Sequence, residues 1–236
     1  MKYKWIWFDL DDTLIDFHAN SRMALRIIYD ECRLDRFFNS PDEWAGTYES
    51  HNLTLWARYS RAEITQEFLR IDRFATPLRP HWEGDEESLK EFSRKLDPLY
   101  LTRLAEQTAL VEGACEILAY LRAHDYNIGI LSNGFKDVQY RKLTNTGLDR
   151  FVDLTVLSDD IGINKPDPRL YRYAMERAST PDPSLHVMIG DNRDTDIAGA
   201  LAAGWKAVLF DDKVTAMTVG DKVTITPRLD LLKELF

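Results

Sequence analysis

The run Trp5-Ile6-Trp7-Phe8-Asp9-Leu10-Asp11-Asp12-Thr13-Leu14 constrains this chain more than any other stretch, because an apolar segment stops abruptly at three acids and a threonine. A short continuous apolar run bounded by polar residues predicts a strand, at about 3–9, buried on both faces as in a parallel sheet. Its acids then lie at the strand's carboxyl end, where open α/β sheets bind ligands in the crevice between diverging connections. Asp9 and Asp11 can share that crevice if the strand curls after Leu10, with Asp11 reached through its side chain and its own carbonyl. Two carboxylates this close raise one another's pKa unless a cation sits between them. Hard oxygen ligands at such a spot suit Mg²⁺. Alone, the stretch reads more readily as a strand ending in a solvated Asp-rich turn, so the rest of the chain has to decide.

The 236 residues, 44% hydrophobic and 29% charged, suffice for one large domain or a domain with a smaller insertion. After the first strand, about ninety residues lack a convincing strand, where a βαβ crossover needs only a dozen or so. Helices are expected at 18–34, from the Ser40-Pro41-Asp42-Glu43 capping box to about 59, at 62–74 and at 85–96, with Pro98 opening a last one to about 106. An inserted all-helical cap at 17–106 is the economical reading, with 1–16 and 107–236 forming the core. From Gly113 the rhythm changes. Helices at 113–124, 135–146, 168–178 and 194–203 alternate with strands at 127–132, 153–157, 186–190 and 205–210, and a short helix closes the chain at 229–236. That alternation predicts an α/β fold, a doubly wound parallel sheet of Rossmann-like kind with right-handed crossovers.

Net charge of −9 argues against a nucleic-acid polymer as partner, since such a partner demands a basic face. No signal-peptide core precedes Asp9 and no stretch approaches a membrane span, so no membrane partner is expected and a cytoplasmic location is the default. Cys32 and Cys115 are expected as free, packed thiols, and the five histidines show no ligand spacing.

Each later strand is followed at its carboxyl end by a potential ligand for phosphate or metal: Ser132-Asn133-Gly134, then Lys165-Pro166-Asp167, then Gly190-Asp191 through Asp196. Acid pair, hydroxyl, lysine and second acid group in this order form a strong constellation. Here the chain resembles the haloacid dehalogenase-like hydrolase superfamily, whose four motifs are matched by Asp9-Leu10-Asp11-Asp12-Thr13, Ser132, Lys165, and Gly190-Asp191 with Asp196. The helical insertion falls where that superfamily's first type of cap lies.

The chemistry of these residue types fits a phosphomonoesterase. A carboxylate attacking an anionic phosphate needs charge neutralisation, which Mg²⁺ and a fixed ammonium provide. Asp9 is the expected nucleophile, forming an aspartyl-phosphate. Asp11 would protonate the leaving alkoxide and then deprotonate the hydrolytic water. Ser132, Asn133 and the amides around Gly134 would donate to phosphoryl oxygens, and Lys165 would neutralise one of them together with resting Asp9. The expected metal set is Asp9, the Asp11 carbonyl and Asp191. Asp196 would act from behind, through water or by holding Lys165. The resemblance prefers it to Asp194, because only Asp196 has that superfamily's spacing from Asp191, although both acids also suit a helix start. Thr13 would support the Asp11 loop, and Arg193 would face solvent.

Leu55-Trp56-Ala57-Arg58-Tyr59, Ile64-Thr65, Ser132-Asn133-Gly134-Phe135 and Thr146-Gly147-Leu148 are similar to the branch of pyrimidine 5′-nucleotidases, including those acting on non-canonical nucleotides. Glu112 departs from that branch, which usually has proline before the glycine opening the next helix. The resemblance implies discrimination by a cap closing over the leaving group. Trp44, Trp56, Tyr59, Phe74 and Trp82 offer surfaces for a base, although most should be cap core, and Arg58, Arg61, Arg70 and Arg73 offer donors for its carbonyls. The expected partner is therefore a small phosphomonoester, bound by a monomer or weak homo-oligomer. Alternatives are a sugar phosphate or phosphoglycolate phosphatase and a phosphomutase using the same motifs. A dehalogenase would lack the acid at 11. A receiver-like phospho-switch would carry an adjacent acid pair and be phosphorylated on an Asp of a later strand, and a non-catalytic relative would have lost Asp9 or Asp11.

Overall fold

The computed structural model describes residues 3–236, and the chain divides into two compact units, one of residues up to Phe17 with Thr108–Phe236, the other His18–Gln107. In the first unit, β1 (Trp5–Phe8) is an inner strand, third from one edge, of the seven-stranded sheet that the described residues form. Its neighbours are β2 (Asn127–Ser132) and β4 (His186–Gly190), both parallel to it, with β3 (Leu154–Leu157) beyond β2. On the other side, β5 (Lys206–Phe210) and β7 (Val223–Thr226) continue the parallel sheet, and β6 (Thr218–Val219) pairs antiparallel at the edge. The expected doubly wound sheet is thus present. β6 and β7 lie in a stretch for which no strand was expected, although Val223-Thr224-Ile225-Thr226 alternates at period two.

Alternation along β1 explains its burial. Ile6 and Phe8 point into one apolar layer with Ile117, Leu121, Ile128 and Ile189, and Trp5 and Trp7 into the other with Tyr171, Met188 and Trp205. The second layer holds an aromatic stack in which Trp7 lies against Trp5, His186 and Trp205. Trp7 Nε1 donates to His186 Nδ1 (3.0 Å), so His186 carries its proton on Nε2 and donates it to the Thr180 carbonyl (2.8 Å). Burial pushes the His186 pKa down, which keeps the ring neutral. His186 is therefore a satisfied core residue, as its lack of ligand spacing suggests.

The crossover helices α5 (Ala114–Ala123), α6 (Lys136–Thr146) and α7 (Pro168–Arg177) match the expected positions, and Gly147 ends α6 at φ +68°. The last differs in kind. Residues Arg193–Ile197 form one wide π turn before a short α8 (Ala198–Ala202). Asn192 caps that turn by accepting from the amides of Asp194 and Thr195, and the Tyr171 hydroxyl donates to the Thr195 and Asp196 carbonyls from behind. The closing segment is a 3₁₀ helix, Leu229–Glu234.

In the second unit, α1 (Phe17–Glu31, its first residue still in the first unit), α2 (Pro41–Ser60), α3 (Gln66–Leu78) and α4 (Glu86–Ala105) surround Trp44, Tyr48, Phe74 and Tyr100. Ser40 caps α2 by accepting from the Glu43 amide, as the capping box predicts. Pro98 opens no new helix. α4 runs through it, because Leu96, Tyr100, Leu101 and Leu104 keep one buried face and packing overrides the lost amide. Pro77 likewise sits inside α3. Among the described residues no helix is long and apolar enough to cross a membrane, and both cysteines are free thiols.

A close fit in the sheet generates a stability prediction. A Cβ at Gly129 would lie 2.3 Å from the Trp7 ring, which the stack prevents from moving. Gly129→Ala should lower the unfolding free energy by about 1–3 kcal/mol or more, read as a lower urea midpoint at an unchanged slope. A midpoint equal to the wild type would show that the stack yields freely.

Candidate active site

The site forms where β1, β2 and β4 end side by side. Asp9 follows β1 directly, and its amide donates to the Ile189 carbonyl (2.9 Å), carrying the ladder one residue past the strand. The chain then curls as expected. Leu14 and Ile15 amides donate back to the Leu10 carbonyl, and Asp12 takes a left-handed φ of +57°, which an aspartate tolerates better than most residues. That loop buries Thr13 completely, with its hydroxyl 3.4 Å from Asp191.

Lys165 sits at the centre. It is 2% exposed, and its Nζ donates to Asp9 Oδ1 (2.5 Å), Asp196 Oδ1 (2.6 Å) and the Leu131 carbonyl (2.8 Å). All three ammonium protons are thereby used. Asp196 reaches inward because the π turn swings it under β4, where Gly190 has no Cβ to obstruct its carboxylate; a Cβ there would lie 2.3 Å away. Its second oxygen accepts from the Asn192 amide (3.1 Å). Asp194 stays exposed and outside this cluster, and exposed Arg193 lies 3.5 Å from Asp211.

Asn133, beside Ser132, also supports the lysine. Its side chain clamps the Lys165 backbone, accepting from the Lys165 amide (2.7 Å) and donating to the Lys165 carbonyl (3.0 Å). Ser132 is buried, and its Oγ accepts from the Gly134 amide (3.1 Å) and from Gln139 Nε2 (2.8 Å). A hydroxyl has one proton and two lone pairs, so with both acceptor positions filled Ser132 retains its proton to donate.

Asp9 and Asp11 do not share one set of partners. The Asp11 carboxylate turns toward α6, where Lys142 Nζ donates to Oδ1 (2.7 Å) and Gln139 Nε2 to Oδ2 (2.9 Å). Neither Gln139 nor Lys142 was singled out from sequence, because polar residues on a helix ordinarily read as its solvated face. The available signal was their three-residue spacing on the helix that follows Ser132.

The acidic cluster that does converge is Asp9, Asp191 and Asp196, each offering an oxygen within 4.8 Å of the others. Burial pushes Asp9 well above the usual carboxylate range; the Lys165 ammonium opposes this, and Asp196 and Asp191 add to it. Asp191 is open to solvent on one side, yet protein packed around its carboxylate and the charges of Asp196 and Asp12 raise it to about 7. For Lys165 burial works against the charge, but Asp196 and Asp9 more than offset it and hold the ammonium above the ordinary lysine value. Three crowded carboxylates against one ammonium leave excess negative charge, and the oxygen-only donor set fits a hard divalent cation. Both Asp196 oxygens are engaged, so Asp191 and the second oxygen of Asp9 are the better-placed ligands.

Residues 3–204 match the model of the haloacid dehalogenase-like hydrolase family. The chain is 34% identical over 204 residues to the pyrimidine 5′-nucleotidase YjjG of Escherichia coli, covering 86% of this chain and 84% of that one. It is 32% identical over 226 residues to the phosphoserine phosphatase of Thermus thermophilus, covering 88% of each. Among solved structures, the HAD-hydrolase YfnB of Bacillus subtilis bound to magnesium superposes with a TM-score of 0.84 at 25% identity, over 100% of this chain and 99% of that one.

The raised acids set a pH dependence. A carboxylate with an elevated folded-state pKa favours folding while protonated, and that contribution is lost as pH rises from the ordinary carboxylate range through about 7 for Asp191. A divalent cation competes with the same proton. Calorimetric titration with MgCl₂ should therefore show affinity increasing from about pH 6 to about pH 8, with protons released on binding. Affinity constant across that interval, or undiminished in Asp191→Asn, would contradict the assignment of cation to cluster.

Proposed function

The chain belongs to the haloacid dehalogenase-like hydrolases, and from that premise we propose that it is a Mg²⁺-dependent phosphomonoesterase that works through an aspartyl-phosphate on Asp9. The observation that carries this reading is the buried Lys165 ammonium fixed 2.5 Å from Asp9 at the mouth of the sheet. The cluster of Asp191 and Asp196 beside it supports a cation site. Mg²⁺, held by Asp9, Asp191 and the Asp11 carbonyl, would neutralise phosphate charge.

In the first step an Asp9 oxygen attacks phosphorus, the bond from phosphorus to the ester oxygen breaks, and Asp11 supplies the proton that the departing alkoxide takes. In the second, Asp11 accepts a proton from water, the water oxygen attacks phosphorus, and the Asp9–phosphorus bond breaks to release phosphate. Lys165 offsets phosphoryl charge, and the Ser132 hydroxyl with the Gly134 region donates to phosphoryl oxygens. Asp196 keeps Lys165 in place, and Asn133 does so through the Lys165 backbone.

The nucleophile generates a first test. Asp9→Asn removes the attacking oxygen's charge but leaves Lys165 paired with Asp196, so turnover should fall below detection while the melting temperature stays near that of the wild type. Chelation with EDTA should abolish wild-type phosphate release and added Mg²⁺ restore it. Wild-type turnover by Asp9→Asn, or full activity in chelator, would sink the mechanism.

For the substrate we favour pyrimidine nucleoside monophosphates. Support comes from the similarity to a pyrimidine 5′-nucleotidase over most of both chains. Of the side chains offered for a base, Trp44 and Phe74 are fully buried, and Arg73 and Arg70 both pair with Asp97. Trp82 packs on Phe37 and Phe92. Half-buried Trp56 and Tyr59, in edge contact with each other, remain the aromatic candidates. A second reading, phosphoserine, is favoured by the similar identity to a phosphoserine phosphatase. The deciding measurement is kcat/KM for thymidine and deoxyuridine monophosphates against purine monophosphates, phosphoserine, hexose phosphates and phosphoglycolate. A pyrimidine nucleotide should lead. If phosphoserine or a sugar phosphate leads by tenfold, about 1.4 kcal/mol of transition-state preference, the nucleotidase reading fails and the phosphatase reading stands.

A further inference from the structure

We propose that Gln139 and Lys142 of α6 are positioning residues for Asp11, holding its carboxylate in the orientation from which it exchanges protons with the leaving group and water. The inference rests on the reading of Asp11 as general acid and base. Both side chains are withdrawn from solvent, Gln139 completely and Lys142 to 3% exposure. Burying an ammonium and an amide is costly unless each is paired, and a helix on this sheet would be held as well by apolar residues such as its own Val138 and Leu143.

The pairing is directed at one group. Lys142 Nζ holds one oxygen of Asp11 at 2.7 Å and Gln139 Nε2 holds the other at 2.9 Å, so the carboxylate cannot rotate without losing a donor. Lys142 is steadied in turn by the Phe17 ring, whose centroid lies 5.0 Å from its ammonium. Gln139 must present nitrogen rather than oxygen to Asp11, because a carboxylate only accepts. Its own Oε1 is buried with no hydrogen-bond partner among the described residues, which costs stability and marks the amide as placed for its NH₂ group.

The same NH₂ group donates to Ser132 Oγ at 2.8 Å. It thereby fills one of the two acceptor positions that leave the Ser132 proton to donate outward. Space for this contact exists because position 134 is glycine: a Cβ there would lie 2.2 Å from Gln139 Nε2. One amide therefore orients both the proton-transfer group and a phosphate donor, which is how residues behind a site preserve its geometry.

The test separates positioning from simple charge balance by leaving group. An alkoxide needs a proton to depart, whereas p-nitrophenolate leaves without one, so loss of a correctly placed general acid selectively affects alkyl phosphates. The measurement is kcat/KM for Lys142→Met, Gln139→Met and Lys142→Arg on thymidine monophosphate, or on whichever alkyl phosphomonoester is turned over fastest, and on p-nitrophenyl phosphate. Both Met variants should lose at least tenfold more on the alkyl than on the aryl substrate, Lys142→Arg should recover much of that loss, and Lys142→Met should cost little further in an Asp11→Asn background. Equal losses on both substrates, or no loss, would overturn the proposal; if Lys142→Met does not fold, Gln139→Met decides. Asp11→Asn is the control for the underlying reading. If it shows the selective loss and the α6 variants do not, only the proposal fails. If it does not show it, the general-acid reading fails as well.

Discussion

The structure depends on one buried ammonium. Lys165 uses its three protons on Asp9, Asp196 and the Leu131 carbonyl, and so binds together the ends of β1 and β2 and the turn after β4. Removing such a charge from water costs several kcal/mol, and an ion pair recovers this only where geometry and hydrogen bonding are complete. Here they are complete for the lysine and incomplete for the acids, since Asp191 has no ammonium of its own. An apolar triad could occupy the same volume at comparable stability. The arrangement is better understood as a charge reserve: a fixed cation beside a nucleophilic oxygen, with enough uncompensated acid to attract a second cation.

Much of this was legible in the sequence because the sheet imposes order on it. A parallel sheet brings the residues that follow its strands to one edge, so Asp9, Ser132, Lys165 and Asp191 could be assembled from position alone. Asp196 was told from Asp194 by the family resemblance, which carries the spacing from Asp191, and the π turn supplies the physical reason, since it turns Asp196 inward and leaves Asp194 in solvent. The helical insertion was legible as a region without strand periodicity, although Pro98 misled. Its missing amide is a local signal, and the buried face of α4 is a tertiary one that outweighs it.

What remained hidden was the sense of short-range polar contacts. Gln139 and Lys142 carry no apolar pattern, and only the fold shows that their helix face meets the Asp11 loop. The clamp of the Asn133 side chain on the Lys165 backbone has no signal in the sequence either, where Asn133 reads only from its place beside Ser132. In the helical unit, composition could not separate core from surface. Arg73 is an ionisable residue that lies as deep as Phe74, paired with Asp97 and facing the Tyr100 ring. β6 and β7 were missed because β6 is an exposed two-residue edge strand and β7, inside it, has only four residues in which its alternation can show.

The central claim is that Asp9 becomes covalently phosphorylated, and direct chemical trapping tests it most closely. Asp11→Asn enzyme, mixed with Mg²⁺ and radiolabelled p-nitrophenyl phosphate and quenched in acid, should retain label because water is no longer deprotonated to discharge the intermediate. Peptide mapping should place that label on the segment containing Asp9, in a linkage that hydroxylamine cleaves as expected of an acyl phosphate. Label on Ser132 or on any residue other than Asp9 would contradict the account.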